Sequence, residues 1–225
     1  MNETSFKQRV RNELIAGANI YKSTFIDYEY LIYGDGFKAQ QYYIIGAYEN
    51  NYQHLTGVGS DLTADIFFQK CLDGTLQEAD FGFIRKDQCE KSVKGSVRRK
   101  IKLLPSLSTI FSNDLQAEES FTKNNIRCSL ATADNRMTIG FIYTNKAIPK
   151  TLLAGNELNP KNIVDVSVVL RRNRNADKFD EIIKGDANNF QLLLSGALEI
   201  EESLVERLES EESTQKLTTK PTSSK

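Results

Sequence analysis

The chain has 225 residues, 40% of them hydrophobic, enough for one good core or one core with a smaller annex. Its 29 basic and 30 acidic residues give a net charge of -1, which excludes a basic coat over the whole surface but not a local basic groove. Three widely spaced cysteines and one histidine exclude a disulfide framework and offer no close-spaced ligand set for a transition metal. No apolar run approaches the roughly 18 residues needed to cross a bilayer. Glu3, Lys7, Arg9, Arg11 and Glu13 crowd the N-terminus without the apolar core of a signal peptide. The expectation is a soluble cytoplasmic protein without membrane partner, metal or cofactor.

In chain order, residues 4–22 predict an amphipathic helix. Thr4 or Ser5 can cap it, and Phe6, Val10, Leu14 and Ala18 recur at four-residue intervals. Strands are expected at 28–33 and 39–48, with Gly34-Asp35-Gly36 as a hairpin turn between them. After Glu49-Asn50-Asn51 turns the chain, Tyr52 to Thr56 resumes an extended pattern and carries the only histidine, in the box His54-Leu55-Thr56-Gly57. Residues 61–71 fit a second helix, capped by Asp61, with Ile66, Phe67 and Cys71 on its apolar stripe and Asp73-Gly74 ending it. Residues 75–85 read ambiguously. A third helix is expected over 92–104 up to Pro105, with another turn or two at 106–111.

The later chain is extended in flavour at 125–133, 137–143, 147–153 and 163–172, with turns at Asp134-Asn135-Arg136, Thr144-Asn145-Lys146 and Gly155-Asn156. Alternation of Val164, Val166, Val168 and Leu170 with Asp165, Ser167 and Val169 is the period of a sheet with one face on a core. Helices first and a meandering antiparallel sheet after define an α+β class. The chain divides into an N-terminal helix (1–24), an α+β unit (25–185), a closing helical segment (186–209) and a disordered tail (210–225).

Histidine is the side chain whose ordinary pKa lies near neutrality, so a sole copy behind a strand is a candidate proton-transfer group; it is equally compatible with a structural hydrogen bond. Lys91, Lys94, Arg98, Arg99, Lys100 and Lys102 form the clearest basic run, and Lys94, Arg98 and Lys102 share a helix face. Such a ridge suits a polyanion, or it is a solvated face. A second cluster, Arg171-Arg172-Asn173-Arg174, ends the last strand, with Lys146 and Lys150 near an earlier turn. Guanidinium groups there can fork onto phosphate oxygens. A phosphate-binding glycine loop, a dinucleotide fingerprint and a nucleophile elbow are all missing.

The box His54-Leu55-Thr56-Gly57-Val58 follows Tyr42-Tyr43-Ile44-Ile45. With Phe67-Phe68-Gln69-Lys70-Cys71-Leu72-Asp73-Gly74-Thr75-Leu76, Lys100-Ile101-Lys102-Leu103-Leu104-Pro105 and Ile148-Pro149-Lys150-Thr151-Leu152-Leu153, it resembles a phage- and prophage-associated nuclease-like domain of low-GC Gram-positive bacteria. That domain is assigned to the barnase–EndoU–colicin E5/D–RelE superfamily of metal-independent RNases. The resemblance covers roughly residues 25–185. It implies an N-terminal helical part packed on a curved antiparallel sheet of about four strands, with RNA bound across the sheet. It maps His54 as general base, Thr56, Lys150 and Arg171 as further catalytic groups, and Lys94, Arg98, Lys102 and Arg172 as RNA phosphate contacts. Many relatives use a glutamate base or a histidine pair. Here a second histidine does not exist, so the acid is Lys, Arg, Tyr or water, or the site is not catalytic. The alternative is an inactive nucleic-acid-binding or host-protein-binding phage factor. The nuclease reading requires that the imidazole and the cations converge on an open face of the sheet. The Glu-rich segment 198–212 could also mimic phosphate and occupy a basic site.

Overall fold

The computed structural model describes residues 5–84, 88–112, 114–123 and 125–185, together with 200, 202 and 204. Helix α1 spans Phe6–Tyr21, and the Ser5 hydroxyl caps it by accepting the Gln8 N–H at 3.0 Å. Val10, Leu14 and Ala18 are buried along it, as their four-residue spacing demands. A π-helical turn, Lys22–Ile26, leads into strand β1, Tyr28–Tyr33, and the chain returns in β2, Tyr43–Ile45. The two pair antiparallel with Leu31 opposite Ile44. Strand β2 is shorter than the expected 39–48 because its flanking N–H groups are used elsewhere. Those of Lys38 and Ala39 go to the Glu119 carboxylate, and that of Tyr48 goes to Asn51 Oδ1.

Residues 52–56, expected as extended, are helical and belong to α2, Asn51–Thr56. Tyr52, Leu55 and Thr56 are its buried residues, and that i, i+3, i+4 spacing is helical, though too short to stand out in the sequence. Helix α3, Ala64–Leu72, starts at Thr63 rather than Asp61. Phe67, Phe68 and Cys71 face inward, whereas Ile66 is 50% exposed. A 3₁₀ turn at Glu78–Asp80 precedes α4, Glu90–Ile101, and a longer 3₁₀ segment runs over Leu104–Ser112.

The strands that follow are β3 (Gln116–Glu119), β4 (Thr122–Lys123), β5 (Ile126–Arg127), β6 (Leu130–Ala133), β7 (Met137–Tyr143), β8 (Ala147–Ala154), β9 (Val164–Asp165), β10 (Val168–Asn173) and β11 (Glu181–Lys184). Among the described residues, nine of the strands make one sheet in the order β11-β10-β1-β2-β8-β7-β6-β3-β9, and β4 and β5 form a separate hairpin. The expected four-strand sheet is therefore too small. It is not wholly antiparallel either, since β2 meets β8 in parallel at Ile45 and Ala147. The sheet curves strongly: β9 pairs with β3 at one end, and only Val166 and Ser167 separate it from β10, which pairs with β1. Across the curve, the Tyr43 hydroxyl of β2 donates to Glu119 Oε1 of β3 at 2.6 Å.

Alternate strand residues face opposite ways. Tyr30, Ile32, Tyr43, Ile45, Ile139, Phe141, Leu152 and Val169 join the helices in the main core. Leu31, Tyr33, Val168 and Leu170 point to the other face, where Phe179, Ile200 and Leu204 cover them. Ile200 bridges Phe179 in parallel. Apart from residues 200, 202 and 204, the expected closing segment 186–209 and tail 210–225 lie outside the described residues. No helix among the described residues is long and apolar enough to cross a membrane.

Close helix packing at α1 rests on Gly17. A Cβ there would lie 2.5 Å from Leu104 Cδ1 and 2.8 Å from the Tyr52 hydroxyl, which itself donates to the Leu14 carbonyl. Gly17→Ala is expected to overpack this contact and lower stability by about 1–3 kcal/mol despite alanine's better helix propensity. A urea unfolding midpoint equal to or above that of the wild-type chain would contradict this.

Candidate nucleic-acid interface

Residues 46–57 form the spine of the candidate site. Gly46 comes first, and its lack of a side chain matters. A Cβ there would lie 3.1 Å from Lys146 Cδ and 3.3 Å from Glu29 Oε1, so glycine lets the lysine cross the strand end onto the glutamate. Next comes Tyr48, whose backbone is pinned while its ring is 41% exposed. Its carbonyl accepts from the Tyr21 hydroxyl and the Asn51 N–H, both at 3.1 Å. Lys146 Nζ lies 5.7 Å and the Arg174 guanidinium 5.2 Å from the ring centroid. Arg174 is fixed in turn by its Nη1 donating to the Ala47 carbonyl at 3.1 Å and its backbone N–H donating to the Asp27 carbonyl at 2.9 Å.

Glu29 anchors this cluster from β1. Only 4% exposed, it gives one carboxylate oxygen to Lys146 and the other to Arg172, whose Nη2 lies at 2.8 Å. Burial alone would raise the Glu29 pKa, but the hydrogen bonds and charges of Lys146 and Arg172 together outweigh it and hold the carboxyl below its ordinary range. Arg172 also lies over the Phe179 ring at 4.5 Å and donates to the Asp177 carbonyl at 2.8 Å. Among the described residues, Lys146, Arg172 and Arg174 gather around the Glu29 carboxylate beside an exposed aromatic ring. That combination suits a base stacked on the ring with its phosphate among the cations.

His54 is exposed on α2. The N–H groups of Asn51 and Tyr52 bond to the carbonyls of Tyr48 and Glu49, so the winding is continuous from Tyr48 onward. His54 lies six positions along it from Tyr48, about 9–12 Å along the axis. Lys100 of α4 reaches across, its Nζ 3.4 Å from the His54 carbonyl oxygen. This contact depends on Gly57, which ends α2 at φ +81° and whose Cβ would press on Lys100 Cδ at 3.1 Å. Thr56 has a different job from the one the resemblance implies. It is fully buried, and its hydroxyl donates to the Gln53 carbonyl at 2.7 Å, closing the helix.

The other mapped residues are spread over the molecule. Lys94 pairs with Glu90 at 2.7 Å and lies over Phe83. Arg98 lies over Phe6 at 5.1 Å, and Lys102 follows the last residue of α4. Lys150, on β8, donates to the Arg127 carbonyl at 2.8 Å. Arg171 and Arg172 are neighbours on a strand and so face opposite ways. Arg171 forks onto Glu181 at 2.7 and 2.8 Å and lies over Tyr28, on the face away from Arg172. One phosphate cannot receive both arginines. The expected gathering on an open sheet face thus takes another form: Arg172 joins Lys146 and Arg174 at the strand ends, and His54 joins Lys100 on the helical layer.

Sequence reading missed Glu29, Tyr48 and the part played by Arg174. Glu29 is the one charged residue in Tyr-Glu-Tyr-Leu-Ile-Tyr, a strand otherwise fit for burial. A lone carboxylate in such a run needs cationic partners, and that was the available signal. Among the described residues, no group of three or more His, Cys, Asp or Glu side chains is placed to hold a metal ion.

A mixed sheet backed by helices, with a cationic, aromatic-edged cluster at its strand ends, makes this an α+β protein. The chain belongs to a phage nuclease-like family: the family model described as phage-Barnase-EndoU-ColicinE5/D-RelE like nuclease4 matches residues 13–184. No curated protein and no solved structure matches the chain.

Proposed function

We propose that the protein cleaves RNA by metal-independent transesterification along the track from Tyr48 to His54. The observation that carries this reading is the placement on one short segment of an exposed aromatic flanked by Lys146 and Arg174 and of an exposed imidazole beside Lys100. A base stacks on Tyr48, and its phosphate sits between Lys146 and Arg174. The next phosphate reaches His54. The imidazole takes the proton of the ribose 2′-hydroxyl, and the 2′-oxygen attacks phosphorus. The bond to the 5′-oxygen then breaks, and that oxygen takes a proton from water, since the sequence has no second histidine. Lys100 offsets the charge that develops on the non-bridging oxygens, the largest contribution such sites usually make.

In this reading Glu29 is a positioning residue. Both its oxygens hold cations and its proton affinity is lowered, which suits a clamp better than a base working near neutrality. The test is incubation of a mixed-sequence RNA with the purified chain in excess EDTA. Cleavage is the expected result. Cleavage that appears only when a divalent cation is added back would overturn the mechanism.

A further inference from the structure

We infer that the groove between α1 and α4 is a second RNA-binding site, which holds the single-stranded backbone beyond the cleavage track. The inference rests on the RNA-cleaving reading above and extends it across α4. Phe6, Ile101 and Pro105 floor the groove, Arg9, Arg98 and Lys102 rim it, and it encloses about 420 Å³.

Charge accounting supports a polyanion in this groove. Lys22, Lys70, Lys94, Lys123 and Arg171 are each neutralised by a neighbouring carboxylate, and Lys146 and Arg172 share Glu29. Among the described residues, Arg9, Arg98 and Lys102 have no ion pair, and Glu13 is the one acid on the groove lining. An unpaired cation gains more from a phosphate than one that must first leave a carboxylate. Arg98 is also held flat, its guanidinium 5.1 Å above the Phe6 ring, which keeps its donor edge free for oxygen.

The path is continuous with the proposed cleavage track. Along α4, Lys100 is two positions from both Arg98 and Lys102, so it points to the other side of the helix. There it meets α2 at the His54 carbonyl, while Arg98 and Lys102 open toward α1. A strand passing His54 and Lys100 therefore crosses α4, about 10 Å wide, and enters the groove.

The test is fluorescence anisotropy with a labelled 12-nucleotide 2′-O-methyl RNA, which binds but lacks the attacking hydroxyl. An Arg9→Ala/Arg98→Ala variant should bind it about tenfold more weakly at moderate salt. Its slope of log affinity against log salt should be shallower by about 1.4, two phosphate contacts at 0.7 each for a single strand. An Arg9→Lys/Arg98→Lys variant should keep most of the slope, and a dinucleotide, too short to reach the groove, should bind all forms alike. Unchanged 12-mer affinity and slope in the alanine variant would overturn the groove. So would displacement of the RNA by polyglutamate at matched charge, which would mark the groove as a site for an acidic protein. The uncleavable probe separates the two readings: groove-dependent binding by a chain that cuts no RNA would defeat only the catalytic proposal.

Discussion

Glu29→Gln is expected to melt about 6–12 °C below the wild-type chain at pH 7. The substitution keeps the shape but removes the charge that neutralises Lys146 and Arg172, whose side chains are only 20% and 13% exposed. Removing one member of a buried ion cluster strands the others, at a cost of about 3 kcal/mol. For a domain of this size each kcal/mol is about 2–4 °C. The pH dependence gives a second check with a definite sign. The Glu29 carboxyl is held below its unfolded value, so its stabilising contribution is full above about pH 4.3 and is lost as pH falls through the lower folded value. The gap between wild type and Glu29→Gln should therefore be constant near neutrality and close in acid. A gap that persisted unchanged at pH 2–3 would mean that the cluster is not what the glutamate stabilises.

His54→Ala should separate activity from stability in the opposite sense. The ring is exposed, and the Lys100 contact goes to the His54 backbone carbonyl, so the melting temperature should move by no more than a surface substitution usually causes, about 0.5 kcal/mol. The cleavage rate should fall by about 10² to 10⁴, the usual contribution of a general base. Added imidazole should restore part of the rate, because the deletion leaves an opening at an exposed position. A variant as active as the wild type would remove His54 from the mechanism. If Glu29→Gln then abolished cleavage while still folding, the base would be Glu29.

Much of the fold was legible because its signals are local. The four-residue spacing of Val10, Leu14 and Ala18 marked α1, and the apolar runs at 28–33, 137–143 and 147–153 marked three central strands. What escaped is held by distant partners. Strand β3 reads Gln-Ala-Glu-Glu, which looks like a solvated loop. Its Glu118 accepts the N–H of Asn159 at 2.8 Å, and its Glu119 accepts those of Lys38 and Ala39. These acids are paid for by loops about 40 and 80 positions away, which no short window displays. The strand count rose for the same reason, as short pieces such as β9 and β11 exist only because a longer strand lies beside them.

The site divides along similar lines. A lone histidine and two basic runs stand out by composition, so His54, Arg98, Lys102 and Arg172 were all visible. Their grouping was not. Facing alternates at every strand residue, so it splits Arg171 from Arg172, and the strand junction brings Lys146 and Arg172 each to Glu29, more than 100 positions earlier in the chain. Thr56 illustrates the converse. The resemblance maps it as a catalytic group, but the turn of α2 buries it on the side away from solvent.

The central claim is that the 2′-hydroxyl is the attacking group and that protein side chains supply the electrostatics. End-group analysis of the products formed from a defined RNA in EDTA tests it most directly. The account predicts 2′,3′-cyclic phosphate and 5′-hydroxyl termini from RNA and no cleavage of the 2′-O-methyl analogue. Products carrying 5′-phosphate and 3′-hydroxyl ends, or equal cutting of the methylated strand, would contradict it.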